Sequence, residues 1–516
     1  MFNISEKFPS LAGYEFSFAV ADTRKTTYCE KTHRYTDEKY IVTVSGKSIK
    51  VECSGEKSAF YALCDVDKRL REGTLADGEF VCAPSFAVRG YIEGFYGTPW
   101  SHEKRMSVMT LMAKSRMNTV YYGPKDDLYH RELWRDLYPQ EELMRLKELV
   151  DTAKENYMDF HFCIAPGLSV KYSDEAEFDT LMAKTKQLHS IGIRHFGLLL
   201  DDIDAQLAFE EDRQCFGETV NAHIYLIEKY FAALKEFDSS VSLTICPTLY
   251  NGKGDEYYIA KLGQNISPLI SVFWTGRDIC SREITSLEAV KFIENTRHKP
   301  LYWDNYPVND CAMHNEMHIS PIIGRDKDLY KYAEGLISNT MEYAECSKIP
   351  LLTIADYLWD SENYDPQKSW ENAIKLVIGD NADKFIVFAD HLYTSCLLDG
   401  NSKIMYALMD DAMKAIKAGD KGKAFDMINA YAEKMRACVE FLEGNHPVCA
   451  ELTKWSAKYF VFCSLLEKVF EYLATNEASL IAQMSEIIDE YNSMPAKISE
   501  DVDWKVELHA RLGFNF

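Results

Sequence analysis

No two of the 14 cysteines in this 516-residue chain are spaced C-x-x-C. Ribbon-type zinc sites and thioredoxin-like redox motifs are therefore not expected. Cys163, Cys246 and Cys463 sit in apolar runs, the setting of free thiols in a reducing compartment rather than of disulfides. Residues 1–18 show no basic stretch followed by an apolar one, so no signal peptide is expected. No apolar stretch approaches a membrane span. These readings make a cytoplasmic protein without a membrane partner the expectation. Positive charge is also short: 57 Lys and Arg face 80 Asp and Glu, a net charge of −23. That argues against nucleic acid as a partner, because its binding requires neutralised phosphates, and mildly against a polyanionic substrate. Low-complexity segments and 20–50-residue repeats are missing as well, and no G-x-G-x-x-G follows an early strand.

The chain does have ample material for large cores, with 47% hydrophobic and 13% aromatic residues, and length for about three domains. Residues 1–86 read as a small α+β domain. Tyr40-Ile41-Val42-Thr43-Val44 alternates, Gly46-Lys47 turns, and Ser48-Ile49-Lys50-Val51-Glu52-Cys53 alternates again, which is a hairpin by period and turn chemistry. A helix follows over 58–70. From residue 87 the pattern changes to eight strand candidates, at 88–95, 118–122, 160–165, 195–200, 242–246, 270–274, 300–303 and 335–337. Helices fall between several of them, at 104–115, 141–155 and 178–190. Eight β–α units in 87–365 predict an α/β fold, a (β/α)8 TIM barrel. Residues 366–516 carry six helical stretches and no strand pattern, hence a C-terminal helical domain.

Leu198-Leu199-Leu200-Asp201-Asp202-Ile203-Asp204 is the segment richest in chemistry. A strand buried on both faces ends in adjacent carboxylates, at the end where parallel barrels place their chemistry. Crowded carboxylates drive each other's pKa values apart, which suits a pair with one ionised and one protonated member. A solvated turn or a cation site would also use D-D-x-D. Other strand ends add Glu93-Gly94-Phe95-Tyr96-Gly97, Gly123-Pro124-Lys125-Asp126-Asp127, Pro247-Thr248-Leu249-Tyr250, Trp303-Asp304-Asn305 with Asn309-Asp310, and Ser338-Asn339. Carboxylates, amides, an ammonium, Tyr and Trp on one rim offer partners for hydroxyls and flat faces for a sugar ring. His314-Asn315-Glu316-Met317-His318 misses H-E-x-x-H by one place and reads as surface polarity.

Five of these segments, in this order, resemble glycoside hydrolase family 84: Gly90 to Trp100, Tyr122 to Asp127, Leu200 to Asp204, Cys246-Pro247-Thr248 and Trp303-Asp304-Asn305. The family holds O-GlcNAcases and bacterial β-N-acetylglucosaminidases, some described as hyaluronidases. Leu249 stands where the family pattern has Glu. The resemblance implies a retaining exo-β-N-acetylglucosaminidase that uses the substrate's own 2-acetamido oxygen as nucleophile, an exception to the two-carboxylate rule. Asp201 would orient the acetamido N–H, and Asp202 would act as acid and then base. Tyr250, helped by Asn305, would hold the acetamido group, and Trp303 would wall its methyl pocket. Gly94, Lys125, Asp310 and Asn339 would bind sugar hydroxyls, while Asp204 and Asp304 would be structural. Lys125 could instead pair with Asp126 or Asp127. No metal or cofactor is implied, and GlcNAc-containing glycans or glycopeptides would be the partners. An endo-hyaluronidase and a catalytically idle GlcNAc-binding protein are the alternatives.

Overall fold

The computed structural model describes residues 3–20, 38–125, 127–400, 402–475 and 477–498, so Asp126 lies outside the described residues. The chain falls into two compact units. One comprises Met1–Asn305, Gly324–Thr340 and Ile354–Asp365, and the other Tyr306–Ile323, Met341–Thr353 and Pro366–Phe516.

The first unit opens with a four-stranded sheet: β1 (Glu15–Val20), β2 (Tyr40–Ser45), β3 (Ser48–Cys53) and β4 (Gly78–Cys82). Its order is β1-β3-β2-β4. The expected hairpin is β2–β3, antiparallel with Ser45 opposite Ser48, and Gly46 takes the positive φ of 57° that its turn needs. The helix Glu56–Arg71 follows.

The expected barrel is present. Strands β5 (Val88–Glu93), β6 (Thr119–Tyr122), β7 (Asp159–Ile164), β8 (His195–Leu199), β9 (Ser242–Cys246), β10 (Ser271–Trp274), β11 (Pro300–Asp304) and β12 (Gly335–Asn339) close a ring in which every pair is parallel. Both faces of these strands are covered, so nearly every position is buried and apolar residues do not strictly alternate with polar ones. Ile92, Tyr121, Cys163, Leu199, Cys246, Phe273, Leu301, Trp303 and Ile337 form one buried cluster. The first strand is shorter than its apolar run, ending at Glu93 rather than residue 95. There Arg105 grips the carboxylate at 2.7 and 2.8 Å, and the Trp100 N–H bonds to it at 2.9 Å. The helices His102–Lys114 and Glu175–Ser190 begin before the apolar periodicity does, because Ser101 and Asp174 cap them by accepting N–H bonds from Lys104 and Ala176.

A buried polar cluster joins the sheet to the N-terminal end of the barrel. Arg89, at the start of β5, bonds Glu38 at 2.8 Å and the carbonyls of Phe86 and Arg116 at 2.8 and 2.9 Å. Asn118 and Lys57 bond the same carboxylate at 3.1 and 2.8 Å. Burial pushes the Glu38 carboxyl up, but the Arg89 and Lys57 charges outweigh it and bring it down to about 2.

The second unit contains the helices Pro366–Ile378, Ala382–Asp390, Lys403–Lys417, Lys421–Leu442, Thr453–Thr475 and Ser479–Ser493. The helix Ala382–Asp390 ends at a carboxylate that accepts the Ile404 N–H at 2.9 Å, at the start of the next helix. The His314–His318 segment is surface polarity only in part, because His314 is exposed and the segment's C-terminal end is buried. His318 is fully buried, with its ring nitrogens 2.9 Å from the Val308 carbonyl and 2.8 Å from Glu316. Trp455 Nε1–H donates to the Asn315 carbonyl at 3.0 Å. Among the described residues, no helix is long and apolar enough to cross a membrane.

Candidate active site

The segment between β8 and the two aspartates is clamped before the carboxylates appear. Leu200 N–H bonds the Cys246 carbonyl at 2.9 Å, and Thr248 Oγ1 donates to the Leu200 carbonyl at 2.6 Å. Adjacent residues of a strand face opposite ways. Asp202 escapes that rule because its φ is +52°, left-handed backbone for a residue with a Cβ. Both carboxylates consequently meet one ammonium. Lys125 Nζ lies 2.7 Å from Asp201 Oδ2 and 3.8 Å from Asp202 Oδ2.

The environments of the pair differ. Asp201 is buried, and its Oδ1 has no hydrogen-bond partner among the described residues. Burial raises its pKa, yet the charge and hydrogen bond of Lys125 prevail and hold it below the ordinary carboxylate value. Burial works against the Lys125 ammonium too, and Asp201 more than compensates, so Lys125 stays charged. Asp202 is more open, with a third of its side chain exposed. It accepts two phenol O–H bonds, from Tyr96 at 2.8 Å and from Tyr250 at 3.0 Å. Burial, and then the Asp202 charge, push the Tyr250 phenol well up, keeping it a donor.

The opposite wall is Trp303. Its ring packs edge-on to Phe273, with centroids 5.1 Å apart, and its Nε1–H donates to Asn305 Oδ1 at 2.9 Å. Asn339 Nδ2–H donates to the same oxygen at 3.0 Å, and Asn305 Nδ2–H donates to the Ile279 carbonyl at 2.8 Å. A Cβ on Gly94 would meet Trp303 Cζ2 at 2.7 Å and Asn339 Oδ1 at 3.1 Å, so only glycine lets the indole lie against that strand end. Asn339 Oδ1 is buried without a hydrogen-bond partner among the described residues.

Of the residues singled out in the sequence, Gly94, Lys125, Asp201, Asp202, Tyr250, Trp303, Asn305 and Asn339 all belong to the first unit, at the C-terminal ends of barrel strands or just beyond. Asp310 belongs to the second unit, where it precedes the short turn Cys311–Met313 and its carbonyl accepts the Met313 N–H at 2.9 Å. Lys125 does not pair with Asp127, which instead accepts the phenols of Tyr122 and Tyr138, each at 2.8 Å. Tyr250 holds Asp202 here. Asp304 is turned into a buried two-point pair with Arg325 at 2.8 and 2.5 Å, and Asp204 closes a local turn on the Gln206 N–H at 2.8 Å. Sequence reasoning missed two groups. Tyr96 lay inside a quoted motif, and its signal was an aromatic at a strand end. Arg131 lay in a loop without pattern and gave no signal.

A family model described as beta-N-acetylglucosaminidase matches residues 89–390. The chain belongs to this family. It is glycoside hydrolase family 84, as the order of motifs implied. The Protein O-GlcNAcases of Rattus norvegicus and Mus musculus are each 32% identical over 282 residues, covering 53% of this chain. The matched region spans only 30% of the length of those relatives. Among solved structures, a mutant of the Thermobaculum terrenum O-GlcNAc hydrolase superposes with a TM-score of 0.76 at 30% identity, over 83% of this chain and 97% of that one. CpGH84B superposes with a TM-score of 0.78 at 27% identity, over 93% and 86% of the two chains.

Proposed function

We propose that this member of the beta-N-acetylglucosaminidase family is a retaining exo-β-N-acetylglucosaminidase that hydrolyses terminal β-GlcNAc by substrate-assisted catalysis. The observation that carries the reading is the asymmetry of the pair. Asp201 is buried and held ionised by Lys125, with Oδ1 unpartnered among the described residues, whereas Asp202 beside it is open to solvent and tethered by two phenols. A buried carboxylate oxygen suits an amide N–H. An exposed carboxyl suits proton exchange with a leaving group and then with water.

In the first step Asp202 protonates the glycosidic oxygen as the acetamido oxygen attacks the anomeric carbon. The bond to the leaving group breaks, and Asp201 holds the N–H as positive charge spreads over the forming oxazoline ring. In the second step Asp202 takes a proton from water, whose oxygen opens the ring at the anomeric carbon. Two inversions leave the β configuration. An internal nucleophile brings the high effective concentration of a tethered group. Trp303 walls the pocket for the acetamido methyl. Tyr250, released from Asp202 when sugar enters, holds the acetamido group with Asn305, and Gly94, Lys125 and Asn339 take the ring hydroxyls.

An assay on aryl β-GlcNAc, aryl β-GalNAc, aryl β-glucoside, chitobiose, O-GlcNAc peptide and hyaluronan tests the reading. Turnover of the aryl β-GlcNAc with strong inhibition by a thiazoline mimic of the cyclised intermediate supports it. Equal rates on the β-glucoside, or cleavage of hyaluronan alone, would sink it.

A further inference from the structure

The loop spanning 127–139, between β6 and the helix Gln140–Glu155, is fastened along its length. Asp127 accepts the Tyr129 N–H at 2.9 Å besides its two phenols. Lys184, fully buried, donates to the carbonyls of Tyr129 and Asp136 at 2.5 and 2.6 Å. Arg135 forks onto Glu177 at 2.9 and 2.7 Å, and Gln187 exchanges bonds with the Tyr138 backbone at 2.9 and 2.8 Å. From this fixed loop Arg131 reaches to the carboxylate pair. One guanidinium N–H donates to Tyr96 Oη at 2.9 Å, and another points at the Asp202 carbonyl at 3.4 Å. With an arginine N–H on its oxygen, the Tyr96 phenol must turn its own hydrogen outward, and it does so onto Asp202 Oδ2. The carbonyl that Arg131 faces belongs to the residue in left-handed backbone, a conformation that persists only where its surroundings hold it.

We propose that Arg131 is a positioning residue for the acid. It keeps the Tyr96 hydroxyl on Asp202 and steadies the Asp202 turn, so that the carboxyl meets the glycosidic oxygen at the right angle, without itself touching the sugar. The proposal rests on the reading of Asp202 as the proton donor.

Arg131→Met and Arg131→Lys are compared with the unmodified chain on an alkyl β-GlcNAc and on a dinitrophenyl β-GlcNAc. General acid catalysis is worth about 100-fold or more, and losing its alignment should forfeit a good part of that. The expected result for Arg131→Met is a fall in kcat of about 10-fold or more on the alkyl substrate, with the dinitrophenyl substrate nearly unaffected and KM little changed. Arg131→Lys, keeping one donor, should recover part of the loss. Equal losses on both substrates, or a KM rise confined to peptide substrates with kcat intact, would overturn the proposal. The second outcome would make Arg131 a direct contact for the leaving group. If the unmodified chain turns over neither substrate, the functional reading fails, and the crystal structure of Arg131→Met decides the positioning claim separately. A Tyr96 turned away from Asp202 supports it. A Tyr96–Asp202 bond still at 2.8 Å with Asp202 still left-handed overturns it.

Discussion

Lys125 Nζ is divided unequally between two neighbouring carboxylates, 2.7 Å from Asp201 and 3.8 Å from Asp202. That inequality gives two identical side chains different settings, because the carboxylate in direct contact is held below the ordinary carboxylate value by Lys125.

Lys125→Met should therefore move the acidic limb of the kcat/KM profile to higher pH, since the strongest influence opposing burial at Asp201 is lost and only its backbone hydrogen bond and the Arg131 charge still act against it. The depressed carboxyl contributes stability above its unfolded value, near 3.8, and loses it as pH falls below. At neutral pH the variant should be about 3 kcal/mol less stable, the cost of breaking a buried pair. Denaturant titrations should show that gap closing below pH 4. An unmoved acidic limb would separate Lys125 from the ionisation of Asp201.

The two aspartates are separable by leaving group. Asp202→Asn should slow poor leaving groups by about 100-fold or more and activated aryl glycosides far less, since only the former need the proton. Asp201→Asn should penalise every acetamido substrate alike, because ring closure itself is impaired. A penalty in Asp201→Asn that tracks leaving-group pKa would reverse the two roles.

Gly94→Ala would place a methyl 2.7 Å from Trp303 Cζ2. The indole has to shift, at about 1–3 kcal/mol for an overpacked site. The shift should appear as a raised KM for aryl β-GlcNAc and weaker thiazoline binding by calorimetry, with the same leaving-group dependence as the unmodified chain. Unchanged KM would mean that Trp303 does not shape the acetamido pocket.

At the other end of β5, Glu38→Gln should destabilise without touching catalysis. A carboxyl held at about 2 in the folded chain and 4.5 when unfolded is worth about 3 kcal/mol at neutral pH. This contribution is complete above pH 4.5 and fades as pH falls toward 2, so thermal unfolding of Glu38→Gln and the unmodified chain should converge in acid. A constant difference in Tm across that range would point to packing instead of charge.

The barrel was legible because parallel strands covered on both faces must be largely apolar, and Leu198-Leu199-Leu200 announces itself that way. The acid pair was legible because charges at the end of such a run need a reason. Strand ends were less so: β5 stops at Glu93 through Arg105, twelve residues on. Tyr96 stood in a recognised motif, but its bond to Asp202 spans 106 residues and follows only from barrel closure. Arg131 could not be read at all, since nothing in a polar loop marks which cation turns inward. His318 was misread for the converse reason. Its polar neighbours suggest solvent, and its burial is decided by folding that places Trp455, 140 residues beyond Asn315, against the same segment.

One strand carries Arg89 at its first turn of backbone and Gly94 just past its last residue. The small sheet and the rim that carries the carboxylate pair thus hang on opposite ends of a single rod five residues apart. A barrel begun at residue 87 would keep every group of the rim yet leave the Arg89 guanidinium and the Asn118 amide without the carboxylate that both now bind. The N-terminal sheet is consequently a floor under the barrel, and shortening the chain there would weaken the fold from the end opposite the carboxylate pair.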